Sequence, residues 1–139
     1  MGWLGWALCS AVFAAATAIL AKIGVKDVDS NLATAIRTTV ILVFAWTWAI
    51  ARGAHGGIQH IERRSWVFLA LSGLATGASW ICYFHALQIG EAGKVAPIDK
   101  LSVVFVVIFA ALFLGESVTF AKVAGAVLIA AGAIVLARA

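Results

Sequence analysis

The sequence predicts an all-α, polytopic membrane protein: a bundle of five transmembrane helices. Three observations carry this. The chain has 139 residues, of which 64% are hydrophobic and 12% charged, with a mean hydropathy of +1.07. A soluble domain this small buries only part of its chain and needs far more polar surface. The apolar residues gather in five runs near the ~20 residues that cross a bilayer core, and those runs nearly exhaust the length. Helices are the expected form, because every backbone group in hydrocarbon must be bonded internally, and the runs are too long for barrel strands.

The first helix is expected over residues 3–23, with Trp3 and Trp6 suited to an interfacial belt. The start lacks the basic region of a signal peptide, so it reads as a retained helix. Residues 26–30 form a polar turn, and Ser30 or Asn31 would cap a second helix over 32–51. Residues 54–64 are the longest polar loop, with His55, His60, Arg63 and Arg64. A third helix follows over 65–87, then a break at residues 90–93. The fourth helix is expected over 94–114 as one piece, with the only proline, Pro97, near its start. A short turn at 115–117 leads to the fifth, over 119–136. Cys9 and Cys82 fall in apolar runs and read as buried thiols rather than a disulfide framework.

Five spans put the termini on opposite sides. With the N-terminus inside, one side holds Arg52, Arg63, Arg64 and Lys122; the other holds Lys22, Lys26, Lys94 and Arg138. Arg37 and Lys100 lie deeper. The positive-inside rule needs a bias, and these sets balance. The net charge of +4 therefore reads as membrane flanks and predicts no nucleic-acid partner. The balance points to insertion in both orientations, although the first helix alone can fix one.

Chemistry-bearing residues cluster in the third and fourth helices. Ser72, Thr76, Ser79 and Tyr83, spaced 4, 3 and 4 apart, share a wedge of about 60°. A polar stripe there should face a helix or a water-filled cavity. Trp80 and Tyr83 favour a cavity wall, since both can stack on or bond a solute. Gly73 and Gly77 form a Gly-x-x-x-Gly pair that permits close helix contact, and helix packing alone would explain the small residues as well. Asp99 and Lys100 follow Pro97 at a depth of roughly 8–9 Å. Charges there are costly and tend to line a pathway or bundle interior. Pro97 removes a donor and supplies a hinge or exposed carbonyls. Alternatively, Pro97 opens the helix, Asp99 sits in its first turn, and Lys100 snorkels. As neighbours about 100° apart, Asp99 and Lys100 read as poor partners for each other, each seeking a group on another helix. Arg37, flanked by Thr34 and Thr38, can pair with Asp99 or with an anionic solute; Lys22 can serve the same ends or snorkel. In the fifth helix, Ala121, Gly125 and Gly132 suit close packing, also between subunits. No metal, cofactor, phosphate-loop or nucleophile motif stands out, so catalysis is not expected.

From Ala86-Leu87, Gly90 to Gly93, Pro97, Leu114-Gly115-Glu116, Gly125 and Gly132, the chain resembles the EamA domain of the drug/metabolite transporter superfamily. Residues 96–102 and 29–37 resemble its short, five-helix bacterial and archaeal members. The resemblance covers essentially the whole chain and implies a half-transporter repeat in a bacterial or archaeal inner membrane. Most members join two such repeats in inverted orientation, with a solute site near the midplane and alternating access. This chain has one, which implies a homodimer, antiparallel if topology is dual. Related small multidrug-resistance proteins carry an acidic residue in their first helix. There is none here, which leaves Asp99 as the best intramembrane carboxylate. The expected function is secondary transport of a small solute, with Arg37 and Lys100 favouring one that bears an anionic group. The alternatives are a non-transporting assembly or accessory protein, or one half of a heteromeric transporter.

Overall fold

A computed structural model describes residues 2–139. Six α-helices are present: α1 (Trp3–Gly24), α2 (Ser30–Ala51), α3 (Arg63–Ile89), α4 (Ala92–Asp99), α5 (Ser102–Leu114) and α6 (Phe120–Arg138). Five spans are long and apolar enough to cross a membrane, with α4 and α5 together making the fourth, Ala92–Leu114. The fold is that of an integral membrane protein. At most 11% of any span is buried within the chain, because the apolar faces are turned outward, as lipid allows. The described thiols, Cys9 and Cys82, follow this pattern: both are exposed and unpaired, not buried. An apolar run in a membrane chain signals lipid as readily as core.

The ends differ from expectation for local reasons. Asp29, not Ser30 or Asn31, caps α2; its Oδ1 accepts from the backbone N–H of Asn31 at 2.9 Å and of Leu32 at 3.1 Å. A carboxylate suits the positive end of the helix. Within the expected 54–64 loop, Ala54–His60 winds into a 3-10 helix. It is entered through Gly53, whose φ of +69° places it in the left-handed region.

The chain divides into two compact units, Met1–Lys22 with Ile89–Ala139, and Ile23–Gln88. In the first, α6 packs along α4 and, less extensively, α5. The packed face of α6 is an alanine stripe. Ala126 and Ala133 are buried and Ala130 and Ala137 half-buried, at spacings of 4, 3 and 4. Gly125 and Gly132 lie beside it, with nothing within 4 Å of where a Cβ would stand. In the second unit, the buried side chains are Val25, Ser30, Thr34, Phe84 and Leu87, and Gln88 Nε2 donates to the Val28 carbonyl at 2.9 Å.

Polar groups in the spans are largely satisfied by their own helices. The hydroxyls of Thr34, Thr38, Thr39, Thr47 and Thr76 each donate to the carbonyl four residues back, at 2.7 to 3.1 Å. Such back-bonding lets a hydroxyl enter hydrocarbon without a partner helix.

Candidate functional site

The fourth span is discontinuous, and its break holds the carboxylate. The sequence predicts one helix over 94–114; the structure ends α4 at Asp99 and starts α5 at Ser102. Pro97 is the sixth residue of α4, so it neither opens the helix nor leaves Asp99 in a first turn. Past the proline the ladder tightens. The N–H groups of Lys100, Leu101, Val103 and Val104 donate to the carbonyls three residues back: Pro97, Ile98, Lys100 and Leu101, at 2.9 to 3.1 Å. An α-helix would have sent them to Ala96, Pro97, Asp99 and Lys100. The carbonyls of Ala96 and Asp99 thereby lose their usual donors. Such a stretch inside a span is a common mark of a hinge.

The break also settles where Lys100 goes. Its Nζ lies 3.1 Å from Asp99 Oδ2, so the two neighbours are partners after all. The 100° separation holds only inside a regular helix. Here Lys100 is the first residue past α4, with φ −70° and ψ −8°, and its long stem bends back. The pair is partly open, with 35% of the Asp99 side chain exposed.

In the same unit, Lys22 lies in the last turn of α1 and donates from Nζ to the Gly90 carbonyl at 2.7 Å. Gly90 follows the C-terminus of α3, where a cation meets the negative end of the helix dipole. The Leu114-Gly115-Glu116 turn has a clear build. Gly115 takes φ +66°, and Glu116 N–H returns to the Ala110 carbonyl at 3.2 Å. The Glu116 carboxylate accepts from Lys122 Nζ at 3.1 Å.

In the other unit, Arg37 lies about 10 Å along α2, roughly 5 Å from the midpoint of that helix. Its Cζ stands 4.7 Å from the centroid of the Trp80 ring and 5.0 Å from that of Phe84. Both are cation–π distances. Tyr83 packs edge-on against Phe84, with centroids 6.3 Å apart. Arg37, Trp80 and Tyr83 are thus brought together as sequence candidates, and Phe84 is the member that reasoning missed. Its signal was available: Trp80, Phe84 and Leu87 repeat at spacings of 4 and 3, an apolar stripe beside the polar one. Of that polar stripe, Ser72, Thr76 and Ser79 are exposed on α3 and Tyr83 is half-buried. Gly73 and Gly77 make no close helix contact within the chain, since a Cβ at either would meet nothing within 4 Å.

The EamA-like transporter family matches residues 1–138. The chain belongs to this family. A protein of Sinorhizobium sp described as "uncharacterized transporter in cobO 3'region" is 53% identical over 135 residues, covering 97% of this chain and 96% of the relative. No solved structure matches the chain. Membership makes the protein a transporter; the described residues of this chain form five spans, the fourth divided after Asp99.

Proposed function

We propose that this EamA-like transporter is a secondary transporter of small solutes that works as an antiparallel homodimer in a bacterial inner membrane. The carrying observation is the odd number of spans in a single repeat. A second copy inserted upside down supplies the inverted repeat on which alternating access depends. The balance of Lys and Arg between the two sets of loops supports insertion both ways.

In this reading, Asp99 is the coupling or gating carboxylate and Pro97 the hinge beside it. Irregular backbone at membrane depth is tolerated where it lines a cavity, and the divided fourth span has that character. The exposed Ser72, Thr76 and Ser79 stripe faces the water-filled pathway, with Gly73 and Gly77 admitting the partner closely. Ala121, Gly125 and Gly132 contribute to subunit contact from α6.

Reporters active on opposite sides of the membrane, fused after Ala139, test the assembly. Signal on both sides is the expected result. Signal on one side alone rejects the self-inverted dimer and favours a second, oppositely inserted chain as the other half.

A further inference from the structure

Among the described residues, Arg37 has no carboxylate partner within its own unit. All six carboxylates can be placed. Glu91, Asp99 and Glu116 each have a lysine of their own: Lys94 at 3.9 Å, Lys100 at 3.1 Å and Lys122 at 3.1 Å. The remaining three, Asp27, Asp29 and Glu62, belong to the unit that contains Arg37. They lie outside its helices, Asp29 as the α2 cap and Glu62 just before α3. None pairs with Arg37, and the hydroxyls of the neighbouring Thr34 and Thr38 donate to carbonyls of their own helix.

Arg37 is nonetheless held in place. The Trp80 and Phe84 rings lie against the guanidinium, and Phe84 is only 2% exposed. Aromatic faces stabilise the charge but accept few hydrogen bonds, so the planar fork of N–H donors is left to recruit an acceptor. That fork matches the two oxygens of a carboxylate or phosphate, and the match strengthens away from water. An unpaired charge near mid-span is costly enough to mark a functional site.

The geometry points to Arg37, braced by Trp80 and Phe84, as the recognition site for the oxyanion of the solute, a small carboxylate with a flat apolar body that rests against Trp80 and Tyr83. A phospholipid headgroup offers the same chemistry. Depth argues against it: Arg37 lies about 5 Å from the middle of α2, whereas headgroups begin about 15 Å from the middle of a ~30 Å core. The assignment deepens the transporter reading, but binding can be measured whatever the dimer's orientation. A failed titration leaves the topology result standing, and the reverse also holds.

The test uses the full chain in a phosphate-free sugar detergent, with Trp3, Trp6, Trp46, Trp48 and Trp66 replaced by Phe so that Trp80 reports alone. The probes are benzoate and its neutral twin benzamide. Benzoate should shift Trp80 emission saturably, while benzamide should not. Arg37→Gln should weaken benzoate by about tenfold or more, and Arg37→Lys, which keeps the charge but loses the fork, should also weaken it. The comparison of the two probes needs no Arg37 variant, and the single-tryptophan chain is titrated only once its circular dichroism and melting match those of the unsubstituted chain. Equal responses to both probes, or no saturable benzoate response, overturn the assignment. So does a Trp80 shift on adding phosphatidylglycerol that benzoate fails to reverse, which would make the ligand a headgroup.

Discussion

Lys100 folds back onto Asp99, Nζ to Oδ2 at 3.1 Å, across the point where α4 stops and before α5 begins. The pair forms because the backbone is irregular there; in a continuous helix the two side chains would diverge. A counterion tethered at a break between helices links its charge to the local backbone geometry. Neutralising one member changes what the other must find. If Asp99 is the coupling carboxylate, Asp99→Asn should abolish coupled transport while the protein still purifies folded, in the same assembly state as the unsubstituted chain. Lys100→Gln should impair transport less, because the carboxylate survives. Proteoliposome flux together with size-exclusion profiles measures both, and full activity in Asp99→Asn would remove the carboxylate from the mechanism.

Pro97 stands one turn ahead of the break. Its missing N–H and its ring act on the carbonyl four residues back, that of Gly93. Pro97→Ala restores that donor and should let α4 run into α5. The expected result is a more stable and slower transporter, with melting raised by an amount equivalent to about 1–3 kcal/mol and turnover reduced. Amide exchange at residues 100–104 should slow in parallel. Unchanged exchange there would show that the break is held by something other than the proline.

The five spans were legible in the sequence because lipid makes length and hydropathy nearly sufficient. The break was half legible. Pro97 announced a weak point, but a proline acts most directly on the preceding turn, whereas the i−3 bonds appear in the following one. The site divides the same way. Arg37, Trp80 and Tyr83 were found by charge and aromatic chemistry, while Phe84 hid among lipid-facing phenylalanines that look identical in composition. Burial was the least legible quantity. Cys9 and Cys82 sit in runs as apolar as any core, and only the packing shows that they face outward.

The α6 face allows packing within the chain to be tested separately from the proposed subunit contact. Ala126 and Ala133 are buried, so Ala133→Leu should overpack the fold and cost about 1–3 kcal/mol. Gly132 has open space at its Cβ position. Gly132→Ala should be neutral or slightly stabilising in the single chain, since alanine is the better helix former by about 1 kcal/mol. If Gly132 meets a partner subunit, Gly132→Leu should weaken the dimer without lowering helicity. Cross-linking yield alongside circular dichroism distinguishes these effects. A Gly132→Leu protein that dimerises normally would assign α6 to support within the chain only.

Gly115 tests the Leu114-Gly115-Glu116 turn, one of the stretches in which the chain resembles its family. Its φ of +66° is left-handed, and nothing crowds its Cβ position, so any penalty from a side chain is one of backbone conformation. Gly115→Ala should therefore cost about 1–2 kcal/mol, read as a lower melting temperature in detergent. Glu116→Gln removes only an exposed ion pair with Lys122, for which about 0–1 kcal/mol is typical. The backbone bond from Glu116 N–H to the Ala110 carbonyl would remain. The ranking matters more than either magnitude. If Glu116→Gln proved the more damaging substitution, the carboxylate would have a role beyond the turn, and the motif would mark function rather than a helix stop.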